Sequence, residues 1–245
     1  MFIIAEGRYY MEKEHLSLER KRADADLYMI SISTIVILGI YMAFKSSIDT
    51  FAKNENVYIL LRTFVSALVE FGVAGLGITI VCIYRKESFI GYGLNSKKVI
   101  RTILLSILVF VPNIIFEIVI GGATSYMPFQ KVWITKEVIS SAVPINFIGI
   151  LLIAIAWGFF EGFNYVVITD KINTCFPSSN KWLDWGAIVC SIVCILIHGI
   201  IGVSFSSIIE MFTVFIIIYG MLMVRKFTGN AWGCVFIFVF LWNAF

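Results

Sequence analysis

Residues 143–168 read VPINFIGILLIAIAWGFFEGFNYVVI, with Glu161 the one Asp, Glu, Lys or Arg in the run, and this stretch decides the fold class. A bilayer crossing takes about 20 predominantly apolar residues, a length that a soluble core helix seldom sustains without charge. Stretches of the same kind recur at about Leu27 to Phe44, Val57 to Tyr84, Ile103 to Ile120, Trp185 to Phe205, Ile208 to Val224, and Ala231 to the C-terminus. The break between the fifth and sixth rests on Gly202, Ser204, Ser206 and Ser207. Across 245 residues the chain is 60% hydrophobic and 14% charged, where soluble chains carry about a quarter charged residues. Helices alone satisfy their own backbone in hydrocarbon within one segment. The reading is therefore all-α: a polytopic membrane helical bundle of about seven transmembrane helices. Residues 1–25 form a charged tail and residues 26–245 a single transmembrane domain.

The distribution of Lys and Arg orients that bundle. Fourteen of the nineteen lie in the N-terminal tail and in the connections after spans two, four and six. Lys45, Lys53, Lys131 and Lys136 fall on the other side, and Arg62 sits inside span two. Positive charge collects on the cytoplasmic face, which predicts a cytoplasmic N-terminus in a multi-pass protein of the cell membrane. His15 belongs to that solvated tail. No cleavable signal peptide is expected, because charged residues precede the first apolar stretch and no small-residue cleavage pattern comes after it. The basic residues form no long run interleaved with aromatics, which argues against nucleic acid as a partner. The five cysteines lie mostly within or beside apolar stretches, where they read as small packing residues. Met127 to Ser141 (MPFQKVWITKEVISS) is too polar to span and is expected along the outer interface, with Trp133 at headgroup depth.

Ionisable groups in hydrocarbon each require a reason, since a centred carboxylate costs about 2.5–3.5 kcal/mol on insertion scales. Arg62, Glu117 and Glu210 fall near span ends and read as snorkelling or paired groups. Glu70, close to Gly72, Gly75 and Gly77, reads as a hydrogen-bonded packing residue. Glu161 stands apart. Gly158 and Gly162 flank it and let a neighbouring helix approach, and Asn164 comes one turn later on about the same face. A buried carboxyl in such a place is a general-base candidate, with a hydrogen-bonded structural acid as the alternative. His198 is the one histidine within an apolar span. Cys190, Cys194 and His198 share a helix face, but at 1.5 Å of rise per residue they spread over about 12 Å and cannot converge on one ion.

A glutamate in a mid-chain span, a histidine in the next span, and a last span closing on Asn243 in Leu-Trp-Asn-Ala-Phe form an ordered set. With the lead-in Glu87-Ser-Phe-Ile-Gly-Tyr-Gly-Leu-Asn-Ser-Lys-Lys98, this order resembles the CAAX protease and bacteriocin-processing (CPBP, or Abi) family from about residue 65 onward. The family pattern is Glu-Glu-x-x-x-Arg, then Phe-x-x-x-His, then His-x-x-x-Asn or Asp. Here a single glutamate remains, Tyr165 or Val166 stands at the arginine position, and Cys194 and Val239 replace the Phe and the second His.

The resemblance implies a glutamate-dependent intramembrane endopeptidase acting on a membrane-anchored peptide or protein. It assigns Glu161 as the base that activates water, His198 as a group orienting that water, and Asn243 as an oxyanion donor; Asn164 is a further donor that no family motif requires. The cofactor is left open: a divalent metal is compatible with such chemistry, but no ligand set is legible. Loss of motif residues keeps a second reading in view, a catalytically impaired homologue serving as a membrane scaffold or immunity factor. A small-molecule carrier is the minor alternative, since no inverted repeat is visible.

Overall fold

A computed structural model describes the backbone of residues 2–245 and the side chains of residues 16–245; those of Arg8, Lys13 and His15 lie outside the described residues. The described chain is all-helical. In order it forms α1 (Phe2–Lys53), α2 (Ile59–Glu70), α3 (Leu76–Arg85), α4 (Val99–Val119), α5 (Thr135–Ser140), α6 (Ile145–Ile153), α7 (Glu161–Cys175), α8 (Trp185–Ile197), α9 (Phe205–Thr228) and α10 (Trp232–Phe240). A π-helical turn at Phe71–Gly75 joins α2 to α3, and a second at Ala154–Phe160 joins α6 to α7. Each pair is thus one continuous rod.

Five helical stretches are long and apolar enough to cross a bilayer: Leu16–Lys53, Ile59–Arg85, Val99–Val119, Ile145–Cys175 and Phe205–Thr228. The chain is a membrane protein of several passes. The other two expected spans are shorter, 13 residues in α8 and 9 in α10. At 1.5 Å per residue they rise about 20 Å and 14 Å, short of a hydrocarbon core about 30 Å thick. The expected span Trp185 to Phe205 is not one helix. Gly199 takes a left-handed φ of +66° and donates its N–H to the Leu196 carbonyl at 3.2 Å, so α8 stops at His198. Hydropathy reports burial in lipid and is blind to this turn.

The α7 helix is the hub, packing against α1, α8 and α10. It is buried on nearly all sides, through Glu161, Gly162, Phe163, Tyr165, Val166, Val167, Thr169 and Ile172. A helix enclosed in this way belongs in the centre of a bundle. The close approach expected at the two glycines is present. A Cβ on Gly162 would lie 2.8 Å from the Cys234 carbonyl oxygen, and one on Gly158 would lie 3.3 Å from the Val239 Cα. Both contacts are with α10 or its end. On the far side of the bundle α9 packs on α4 and α8.

One end of the bundle is closed by ion pairs. Asp26 on α1 is buried and meets Arg85 at 2.7 Å and Lys171 at 2.9 Å. Lys171 also holds Glu87 at 2.8 Å, Arg225 pairs with Asp170, and Lys226 lies 3.1 Å from Asp184. Asp184 in turn caps α8 by accepting the Ala187 N–H at 2.9 Å, which satisfies one of that helix's free donors. Burial pushes the Glu87 carboxyl up, but hydrogen bonds donated by Lys171 and Tyr92 outweigh it and hold the group below its ordinary value. Burial, then the bond to Glu87, push the Tyr92 phenol well above its ordinary value.

The opposite end is irregular. Met127 to Ser141 does more than lie along the surface. Phe129, Val132, Ile134 and Val138 are buried in a small second core with Ile59 and Ile153, while Trp133 keeps 46% of its surface exposed. This segment also ties down the C-terminus. The Met127 N–H donates to the Ala244 carbonyl at 3.1 Å, and the Lys131 N–H to the Asn243 carbonyl at 3.0 Å. Arg62 is buried, donating to the Val57 carbonyl at 2.9 Å and to Glu137 at 3.1 Å. Glu117 pairs with Lys131 at 3.2 Å. These two end-of-span groups are therefore paired with polar partners of the irregular segment.

Candidate functional site

The two π-helical turns organise the interior. A π turn inserts one residue into the helical ladder and rotates the residues beyond it; such turns are rare and cluster at functional sites. Here they pack on each other through Phe71 and Phe160, whose ring centroids are 4.7 Å apart in an edge-on arrangement. A Cβ at Gly75 would lie 2.7 Å from the Phe160 ring, so glycine is what admits that ring. Glu70 immediately precedes the first turn, and Glu161 comes directly after the second.

Beside these turns lies a cavity of about 790 Å³, enclosed by α1, the α2–α3 rod, α7 and α8. This volume falls within the range of about 300–1,000 Å³ that small-ligand sites occupy. Its wall is mostly aliphatic; among the polar residues that interrupt it are Glu70, Glu161, Asn164 and His198, and also Asp49, which is paired with Lys45. Glu161 Oε1 lies 3.2 Å from His198 Nε2, with the carboxyl side chain 7% exposed and the imidazole 32% exposed. The distance is that of an ion pair, but the two atoms are not aligned for a hydrogen bond, and Oε1 has no hydrogen-bond partner in the structure. Asn164 Oδ1 is likewise buried and without a partner. Buried carbonyl and carboxylate acceptors call for a donor, and no described residue supplies one to these two atoms.

Each residue singled out in the sequence now has a position. Glu161 and Asn164 share a face of α7, as their spacing of three requires. His198 reaches them from the C-terminal end of α8. Asn243 does not join them, since it is not among the residues lining the cavity. The physical reason is the face of α7 that each neighbour covers. The α10 helix packs on Gly158 and Gly162, whereas α1 and α8 enclose the cavity side of α7. From that end of the chain it is Trp242 that touches His198, edge-on at 5.4 Å between centroids.

Glu70 is the group that sequence reasoning placed elsewhere. It lines the cavity and makes no hydrogen bond or ion pair among the described residues, where a packing acid would have one. It interacts electrostatically with both Glu161 and His198. Its depth within an apolar span was the available signal; the π turn that aims it was not legible.

Cys190 and Cys194 are buried in the main core, and the Cys190 thiol sits 3.3 Å from the Thr169 hydroxyl. Among the described residues no three His, Cys, Asp or Glu side chains are disposed to hold a metal ion. The cavity's groups thus offer acid–base chemistry: a carboxyl beside an imidazole, a side-chain amide, and a second carboxyl. Compared with protein-family models, curated proteins and solved structures, the chain returns no match.

Proposed function

We propose that this chain is an intramembrane endopeptidase of the CPBP/Abi kind, hydrolysing a peptide bond in a membrane-anchored substrate. One observation carries the reading: Glu161 and His198, brought from different helices to 3.2 Å, face a buried cavity that also holds an unpartnered amide. An acid and an imidazole at that spacing can hold and deprotonate a water between them and a carbonyl carbon. In this reading Asn164, which lines the cavity, donates its amide N–H to the oxyanion that forms. The α1 and α8 helices both pack extensively on α7, and among the described residues they share no comparable contact with each other. Ile35 and Ile197, which line the cavity from those two helices, are exposed. That side offers lipid-borne substrates a way in.

We further propose seven crossings with the N-terminus cytoplasmic, in the cell membrane. Asp26 at the head of the first span and the connections after spans two, four and six contribute to the ion-paired end, which supports this alternation.

Cleavage of membrane-anchored peptides, prenylated ones included, by the purified chain tests the reading. Glu161→Gln and His198→Ala should each slow it by about 10²–10⁴-fold, the usual worth of a positioned acid or base. Equal cleavage by all three proteins, or none by any, removes the peptidase reading for that substrate class. The placement of Asn243 outside the cavity favours a second reading, a non-catalytic homologue that binds a membrane protein as scaffold or immunity factor. A stable partner retained by both variants would establish it.

A further inference from the structure

Hydrolysis by Glu161 and His198 must also deliver a proton to the leaving group. A peptide nitrogen cannot depart as an anion; it must be protonated as the carbon–nitrogen bond breaks. That proton can come from Glu161, once it has taken one from water, or from a separate acid on the leaving-group side.

The cavity contains one. Glu70 comes from α2, on a different rod from Glu161, yet the two mutually packed π turns direct both carboxyls to the same space. It makes no hydrogen bond or ion pair among the described residues. The charge balance points the same way. Of the three carboxyls that line the cavity, Asp49 is matched by Lys45 at 2.5 Å; Glu70 and Glu161 share a single imidazole, and uncompensated charge at this depth is costly. Once Glu161 and His198 are matched as an ion pair, the set is electroneutral only with one further proton, and Glu70 is the carboxyl left to carry it. Paired acids with unequal surroundings divide the acid and base roles in this manner.

We infer that Glu70 is a catalytic residue of this cavity, the general acid that protonates the departing amine, an assignment that rests on the peptidase reading. In the step, a water oxygen bonds to the carbonyl carbon while its proton passes to Glu161. The tetrahedral intermediate then collapses, the carbon–nitrogen bond breaks, and the nitrogen takes the Glu70 proton. The products are a carboxylic acid and an amine. Glu161 is left protonated and Glu70 ionised, and transfer of that proton across the cavity to Glu70 restores the starting state. No oxidant, metal or co-reactant other than water is consumed.

Full-length protein in lipid vesicles, given a membrane-anchored amide and the matching ester with a leaving group stable as an anion, separates the roles. Glu70→Gln should lose about 10²–10⁴-fold on the amide and less than about 10-fold on the ester, whereas Glu161→Gln should lose both. Glu70→Asp, which keeps a carboxyl, should recover part of the amide rate. A Glu70→Gln variant that slows amide and ester alike, or neither, overturns the assignment while leaving the peptidase reading intact. A wild-type chain that cleaves neither substrate overturns both. Infrared spectroscopy supplies a readout independent of turnover. The deuterium-sensitive carboxylic-acid carbonyl band of the wild type should disappear in Glu70→Gln and persist in Glu161→Gln; its survival in Glu70→Gln refutes the role.

Discussion

Placing a methyl group on Gly162 tests the packing that sets the orientation of Glu161. An alanine Cβ there meets the Cys234 carbonyl oxygen at 2.8 Å and Phe238 atoms at 3.0 and 3.2 Å. The first is backbone of α10 and cannot rotate away, so α10 must move as a unit. The upper end of the overpacking range is about 3 kcal/mol. Alanine regains roughly 1 kcal/mol over glycine within a helix. The net loss is about 2 kcal/mol, and at about 2–4 °C per kcal/mol for a chain of this size the Tm falls by about 4–8 °C. Gly39 on α1 is the internal control, because a Cβ there meets nothing within 4 Å. Gly39→Ala should keep the wild-type Tm or raise it by a few degrees. Both variants would be tracked by loss of monodisperse protein on a temperature ramp in one detergent. A Gly162→Ala protein as stable as the wild type would show that α7 and α10 are not in this contact.

Named contacts give three other expectations. Glu137→Ala strips the partner from buried Arg62 and should cost about 1–3 kcal/mol, less than a fully buried pair because Glu137 itself is partly exposed. Adding Arg62→Met should recover part of that loss, read as a double-mutant cycle in Tm. Asn164→Ala should slow cleavage by about 10²–10³-fold, as removal of an oxyanion donor does, whereas Asn243→Ala should stay within a few-fold. The reverse order would return Asn243 to the site. Because its folded value is depressed, Glu87 contributes stability that is fully present above its ordinary value of 4.5 and is lost as the pH falls through the lower folded value. Glu87→Gln should therefore flatten the acid limb of a Tm-against-pH curve, and an unchanged limb would contradict the Lys171 contact.

Much of this protein was readable along the chain, because hydrocarbon imposes a one-dimensional test. A crossing segment must be apolar over its length, so the long helices Leu16–Lys53, Ile59–Arg85, Val99–Val119, Ile145–Cys175 and Phe205–Thr228 announce themselves in composition. Helical periodicity is equally local, and it placed Glu161 and Asn164 on one face. Hydropathy could not show where α8 ends, since Gly199 and the residues after it remain apolar while leaving the helix.

The sequence by itself determined a helical membrane chain and the few polar residues for which hydrocarbon demands a reason. Which of those residues meet was decided in three dimensions. Burial of α7 against several neighbours brings His198 of α8 to Glu161, leaves Asn243 outside the cavity lining, and lets two π turns converge on Glu70. Spacing along a chain constrains only residues on the same helix. Pairing across helices depends on rotation and register, and these are set by side chains such as Phe71 and Phe160, and by the bare backbone at Gly162, fitting together.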